Sequence, residues 1–249
     1  MRWLLAPVLG ALVVTALPLS AGAGSAPSRL PDLGVAPLQH MLIQLTPEGR
    51  KRLRFTTSIA NVGAGPIEVV ASRPKLGSEW TGVAQRILRT DGSSSLVSTP
   101  DVKLVFVGSS SHGHWHVRGG ALYELRRIGG GPKVRTRVKR GFCFFDSNPY
   151  RGSLPGAPAK AAYPRVACGK KRARKIAMGI SIGWRDDYYW RISGQAMDIT
   201  SLPIGKYRLV VKVDPRNWFR ESNERNNVAW VDLQIGDQLV KVLGRNPRL

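Results

Sequence analysis

Several stretches of this chain alternate apolar and polar residues one by one. Leu53, Phe55, Thr57 and Ile59 interleave with Arg52, Arg54, Thr56 and Ser58, and Tyr207, Leu209, Val211 and Val213 interleave with Arg208, Val210 and Lys212. Successive side chains of a β-strand point to opposite faces, so the pattern predicts strands with one face in a core. Beyond the first two dozen residues, no long stretch carries apolar residues at the three-and-four spacing of a helix. Turn-forming clusters fall between the alternating runs at Asn61-Val62-Gly63-Ala64-Gly65-Pro66, Thr90-Asp91-Gly92, Gly129-Gly130-Gly131-Pro132 and Pro203-Ile204-Gly205. The expected fold is all-β, an antiparallel β-sandwich with long loops that carry the active site.

Met1-Arg2-Trp3 precedes an apolar stretch from Leu4 to Ala21, and Ala21-Gly22-Ala23 supplies the small residues of a cleavage site. Residues 1–23 read as a secretory signal peptide, since Pro7, Gly10 and Pro18 make a poor spanning helix. Residues 24–37 are rich in Gly, Ala, Ser and Pro and are expected to be a flexible mature N-terminus, with 38–249 as one folded domain. The two cysteines, Cys143 and Cys168, both lie in the exported part. An oxidising compartment makes a disulfide between them the expectation, stabilising the fold by about 3 kcal/mol. Two cysteines are too few for a four-cysteine zinc site, and their spacing excludes a CxxC redox motif.

Lys and Arg number 38 against 16 Asp and Glu, a formal net charge of +22. A hydrophobic content of 43% with seven Trp separates this chain from disordered polycations, which lack the apolar surface to offset chain ordering. The densest positive run is Lys170-Lys171-Arg172-Ala173-Arg174-Lys175, next to a Gly/Pro/Ala-rich stretch, Ser147 to Pro164, that reads as a long loop. The run is either a solvated loop or a polyanion contact. A nucleic-acid contact fits poorly with an export signal, and no stacking or groove-reading motif accompanies the charge. The surplus is instead read as a tether to an anionic cell-wall or matrix polymer.

Three of the four histidines are His112, His114 and His116, in Ser111-His-Gly-His-Trp-His-Val117. On a strand they share a face with neighbours roughly 6.6 Å apart along the backbone, and outer side chains leaning inward meet a central one on a single ion. Imidazoles without a thiolate favour copper(II) or zinc over calcium or magnesium. The bland alternative is a polar strand face.

This motif resembles the His-x-His-x-His copper motif of the lysyl oxidase family, and the resemblance continues in order along the chain. Tyr123-Glu124-Leu125 is similar to the family's Tyr-Asp-Leu, and Lys139-Arg140-Gly141-Phe142-Cys143 to its KASFC. Met178-Gly179, Gly183, Asp186, Tyr188, Ile192, Gln195 and Asp198-Ile199-Thr200 follow its MGCWDMYRHDIDCQWVDIT with an insertion. Pro203-Ile204-Gly205-Lys206-Tyr207 resembles PPGDY, and Glu221-Ser222-Asn223-Glu224-Arg225-Asn226-Asn227 resembles ESDYSNN. The acidic stretch and the additional His that follow the copper motif in the animal enzymes are absent, and a cysteine beside that motif is here Ser111.

The resemblance implies a secreted, copper-dependent amine oxidase that converts primary amines, of peptidyl lysine or small molecules, to aldehydes with release of ammonia and hydrogen peroxide. It implies a self-derived cofactor, lysine tyrosylquinone, made from Lys139 and Tyr188. Tyr188 stands ten residues before Asp198, the family's spacing, which selects it over Tyr189. The general base falls to Asp186 or Asp187, of which Asp186 matches the family's Asp; either could instead pair with Arg185 or Arg191. Glu221, Asn223, Asn226 and Asn227 offer hard oxygen ligands suited to calcium, and Asp32-Leu33 matches the Asp-Leu that completes such a site in related proteins. The alternative there is a tight turn held by Asn side chains. The competing function is a secreted copper-binding β-sandwich module for adhesion or binding, which never matures its quinone.

Overall fold

A computed structural model describes residues 25–109, 112–128, 133–138, 141–246 and 249; of residues 109, 112, 133–136 and 138 the backbone alone is described. The strands are β1 (Ser28–Arg29), β2 (Leu33–Val35), β3 (Gln39–Leu45), β4 (Lys51–Asn61), β5 (Ile67–Ser72), β6 (Thr81–Arg89), β7 (Ser94–Ser98), β8 (Leu104–Ser109) and β9 (His112–Val117). They continue with β10 (Ala121–Arg127), β11 (Lys133–Val138), β12 (Asn148–Pro149), β13 (Lys175–Ile180), β14 (Trp184–Tyr188), β15 (Ala196–Asp198), β16 (Gly205–Val213), β17 (Val228–Ile235) and β18 (Val240–Arg245). The helical content of the described residues is one 3-10 turn, Arg165–Cys168.

One sheet runs β11-β10-β16-β17-β18. A second is built round β4, flanked by β3 and β15 along its first half and by β2 and β14 along its second. A third runs β1-β6-β5-β13 with β7 on β6, and β8 and β9 form a hairpin. The pairings are antiparallel, and the sheets make the expected sandwich. Leu53, Phe55, Thr57 and Ile59 of β4 and Tyr207, Leu209, Val211 and Val213 of β16 are all fully buried, as their alternation demands. The ring of Phe55 meets Tyr123 of β10 edge-on at 5.2 Å, which seats one sheet on the other.

The stretch 24–37, expected to be flexible, contains β1 and β2 instead. Leu33 and Val35 are fully buried, and apolar burial of that kind offsets the cost of ordering a short segment. The glycines of the turn after β4 make the close approach possible. A Cβ at Gly65 would stand 2.0 Å from the Arg29 carbonyl oxygen and one at Gly63 2.4 Å from the Asp32 nitrogen. The Gly/Pro-rich stretch 147–164 is a loop apart from β12, and it is tied to the body by Asp146. That carboxylate accepts the N–H groups of Ala162 (2.9 Å), Tyr163 (3.0 Å) and Ser181 (2.8 Å) and the Ser181 hydroxyl (2.7 Å). The Cys143–Cys168 disulfide closes across it, with Cα atoms 5.8 Å apart.

Candidate functional site

β14 places two neighbouring carboxylates on opposite faces. Asp187 points outward, where it takes hydrogen bonds from the Ser58 hydroxyl, Asn148 Nδ2 (2.7 Å), Arg185 Nε (3.1 Å) and the Tyr189 hydroxyl (3.3 Å). Asp186 points inward and is fully buried, accepting from Ser147 Oγ at 3.2 Å. The ion pair with Arg185 that the sequence allowed for either carboxylate therefore belongs to Asp187. Arg191 is turned away over the ring of Trp190, 4.7 Å from its centroid.

Tyr188 shares the inward face with Asp186 because the two are separated by one residue on a strand. Its phenol hydrogen-bonds to Asp186 and accepts the Cys143 N–H at 3.2 Å. Burial, and then the Asp186 charge, hold the phenol pKa well above its usual value, so the hydroxyl stays protonated as a donor to the carboxylate. The Phe142 ring stands edge-on to Tyr188 at 4.4 Å. A second buried phenol, Tyr123, contacts Gln195 at 3.4 Å, and Gln195 donates to Thr57 Oγ1 at 3.2 Å. Burial pushes the Tyr123 pKa up to about 12. Tyr189, by contrast, is 46% exposed.

The segment Gly141–Cys143 connects this phenol to the histidine strand. Phe142 and Val117 exchange backbone hydrogen bonds at 2.7 and 3.0 Å, and a Cβ at Gly141 would fall 2.6 Å from that of His116. His112, His114 and His116 lie on β9 opposite Ser109, Val107 and Val105 of β8. His116 is buried, and the His114 and His116 rings stand 4.7 Å apart between centroids, inclined at 40°. Two imidazoles on one strand face at that spacing suit a copper(II) or zinc ion with further ligands to complete it. Among the described residues no three His, Cys, Asp or Glu side chains already form a metal-holding group. The side chain of His112 and the whole of Lys139 lie outside the described residues. The intervening Trp115 faces the other way: its indole donates to the Lys170 carbonyl at 3.0 Å and packs on Trp80 and Phe106.

β2, which pairs with the same stretch of β4 as β14 does, meets the segment between β16 and β17. The Leu33 N–H donates to Glu221, and Asn226 Nδ2 donates to Asp32 at 2.6 Å. Asn227 Nδ2 bridges Glu221 and Glu224, both at 3.1 Å. The amide oxygens of Asn226 and Asn227 are buried and lack a hydrogen-bond partner among the described residues, an expensive state for a carbonyl oxygen unless it is aimed at a cation. Asn223 is spent locally, its Oδ1 accepting the Arg225 N–H at 3.1 Å. Burial pushes the Glu221 pKa up to about 8, helped by the charges of Glu224 and Asp214, two residues that the sequence reading missed. The signal for Glu224 was present in the same Glu/Asn-rich motif; Asp214 is brought in by the fold alone.

A raised carboxylate pKa means that the folded state binds the proton that the unfolded state releases. Stability contributed by Glu221 is therefore present below its ordinary value of 4.5 and is lost as pH rises toward about 8. Cation-free protein is expected to melt at progressively lower temperature between those limits, with Glu221→Gln flattening the slope. An unchanged slope in that variant would show that the cluster does not titrate as its burial requires.

Comparison with known proteins agrees with the geometry. A family model described as Lysyl oxidase matches residues 99–244, more than half of the chain. Protein-lysine 6-oxidase of Gallus gallus is 26% identical over 188 residues, 75% of this chain and 34% of that protein. Lysyl oxidase homolog 1 of Homo sapiens is 33% identical over 121 residues, 48% of this chain and 19% of its own length. The chain thus spans about a third or less of the length of these relatives.

Proposed function

This chain belongs to the lysyl oxidase family, and from that premise we propose that it is a secreted amine oxidase acting on primary amines, either peptidyl lysine or small amines. The observation that carries the proposal is the Tyr188 phenol, buried against Asp186 and held by the Cys143 N–H on the segment that also presses on His116. His112, His114 and His116 would hold copper(II), which supplies the redox chemistry for joining Lys139 to Tyr188 as lysine tyrosylquinone. The protein's own part is positioning. Phe142 and Cys143 fix the ring of Tyr188 in a dry site. Asp186 accepts the hydrogen bond of the protonated phenol and is the carboxylate best placed to accept a proton from an amine brought to that ring. The folded domain that would carry this chemistry begins ahead of residue 38, since β1 and β2 belong to it, and it would follow removal of 1–23, which lie outside the described residues. No described helix is long and apolar enough to cross a membrane.

A peptide map of aerobically copper-treated protein tests this reading. The expected result is one cross-linked species containing Lys139 and Tyr188. Separate peptides at unmodified masses would leave a copper-binding module without a quinone. Asp186→Asn keeps the side chain's shape, and it is expected to lower amine turnover by about 10²- to 10⁴-fold while the cross-linked mass persists. Full turnover in that variant removes Asp186 from the reaction.

Calcium is proposed for the second site, held by Asp32, Glu221, Asn226 and Asn227 with Glu224, with Leu33 fixing Glu221 through its N–H and Asn223 shaping the turn. The two partnerless buried amide oxygens support it. Calcium at a hundred times its dissociation constant is expected to stabilise the fold by about 2.7 kcal/mol, a melting shift of roughly 5 to 10 °C. No shift with calcium, or the same shift in Asp32→Asn, overturns the assignment. Finally, the net charge of +22 supports an anionic cell-wall or matrix polymer as partner. Binding to such a polymer should weaken as salt is added, and salt-insensitive binding removes the electrostatic tether.

A further inference from the structure

The basic run left open by the sequence is not a loosely solvated loop. It leaves the disulfide at Cys168, and its main-chain carbonyls are turned inward and held. Trp115 Nε1 donates to the Lys170 carbonyl at 3.0 Å. Arg73 donates to the Lys171 carbonyl at 2.7 Å and to the Ala173 carbonyl at 2.8 Å. The Arg73 N–H donates to the Arg174 carbonyl at 3.0 Å, and Ala173 packs on the core before β13 begins. Arg73 itself is buried, with its guanidinium 4.9 Å from the ring centroids of both Trp80 and Trp115. A buried arginine that packs against two adjoining indoles and spends its planar fork on two carbonyls is a rigid fixture.

With the backbone facing inward, the side chains face out, Arg174 leaning back to donate to the Pro74 carbonyl. Lys170, Lys171, Arg172, Arg174 and Lys175 are all exposed, and among the described residues none of them is in an ion pair. Five like charges within six residues repel one another, and a flexible loop would relieve that by spreading. Here the carbonyl anchors hold the array together, so the backbone part of the ordering cost of binding is met before a ligand arrives.

We infer that the clamped segment Lys170–Lys175, a loop with the first residue of β13, is the docking platform for an anionic polysaccharide, one carrying sulfate, phosphate or carboxylate groups along a sugar chain. The inference rests on reading the surplus charge as a tether, and it is independent of the amine oxidase chemistry. Single-stranded nucleic acid is the poorer match, because it is gripped by stacking on aromatic faces and the indoles nearest the loop are occupied by Arg73. The platform backs directly onto β9, since Trp115, which carries the Lys170 carbonyl, sits between His114 and His116. A polymer held there would lie against the histidine strand from the side away from the imidazoles.

The test uses the full exported chain and two charge-matched triple variants. Lys170→Gln/Lys171→Gln/Arg172→Gln removes three charges from the platform. Lys160→Gln/Lys206→Gln/Lys241→Gln removes three from exposed positions elsewhere. Binding to heparin, to polygalacturonate and to duplex DNA is measured at physiological salt. Each cation facing an anionic surface is worth roughly a fivefold factor, so the platform variant is expected to lose at least about tenfold for heparin or polygalacturonate. The scattered variant should lose markedly less. Arg73→Lys, which keeps the charge but cannot span two carbonyls, should also weaken binding. A heparin-only response assigns sulfate recognition, and a response to both glycans assigns general polyanionic sugar recognition. Equal losses in the two triple variants overturn the platform, as does a clear preference for DNA. Absence of binding by the unaltered protein overturns both the platform and the tether, whatever the peptide map shows.

Discussion

Tyr188→Phe is expected to reduce amine-dependent peroxide release to background, a loss of at least about a thousandfold, whereas Tyr189→Phe stays close to the unaltered protein. The two residues are neighbours, and the difference between them is direction: Tyr188 ends β14 on its inward face, and Tyr189, just past the strand, turns outward. Tyr188 is buried, with its hydroxyl between the Asp186 carboxylate and the Cys143 N–H. Tyr189 is half exposed, and its hydroxyl is engaged on the outer face with Asn148 and Asp187. Removing the Tyr188 hydroxyl takes a partner from a buried N–H and a buried carboxylate, at a cost of about 1 to 3 kcal/mol. The melting temperature must therefore be measured beside the activity, so that lost chemistry is not confused with lost fold. Tyr123→Phe serves as a control for a buried phenol removed nearby, because its hydroxyl contacts Gln195 rather than Cys143. Peroxide release that survives Tyr188→Phe and disappears in Tyr189→Phe would move the cofactor to the neighbouring ring.

That contrast also shows what was legible in the sequence. β4 and β16 could be read residue by residue, because their inward faces are apolar and their outward faces polar. β17 carries the same signal in Ala229, Val231, Leu233 and Ile235. β14 could not be read that way, since its inward face carries Asp186 and Tyr188, and a polar buried face erases the period-two pattern. The tyrosine was reached only through its spacing in a family motif. The choice between Asp186 and Asp187 needed the fold, because adjacent residues with the same side chain differ only in direction. β2 was hidden for another reason. Leu33 and Val35 are too short an apolar signal to predict a strand, and their burial depends on the glycine turn after β4 coming to meet them. At the proposed calcium site the motif supplied Glu221, Asn226 and Asn227, while Asp214 joins from just past β16, beyond the reach of local spacing. Lys139 remains a reading of the motif alone.

Replacing both disulfide cysteines, Cys143→Ala with Cys168→Ala, is expected to lower stability by about 3 to 4 kcal/mol. The bond spans 25 residues of sequence, and freeing a loop of that size restores the corresponding chain entropy to the unfolded state. For a chain of this length the melting temperature should fall by roughly 6 to 15 °C. Alanine is the informative replacement, because both sulfurs are buried and a serine hydroxyl there would add an unsatisfied polar group. A pure staple would stop at that effect. This disulfide joins two segments with different work to do, however. Cys143 donates the backbone N–H that holds the Tyr188 phenol, and Cys168 closes the 3-10 turn from which the clamped basic loop departs. Below its melting temperature the double variant should therefore form the Lys139–Tyr188 cross-link more slowly and bind anionic polysaccharide less tightly, two losses that a surface staple would not produce together. Normal rates for both, alongside the predicted drop in stability, would show that Arg73 and Phe142 hold the two segments without the sulfur bridge.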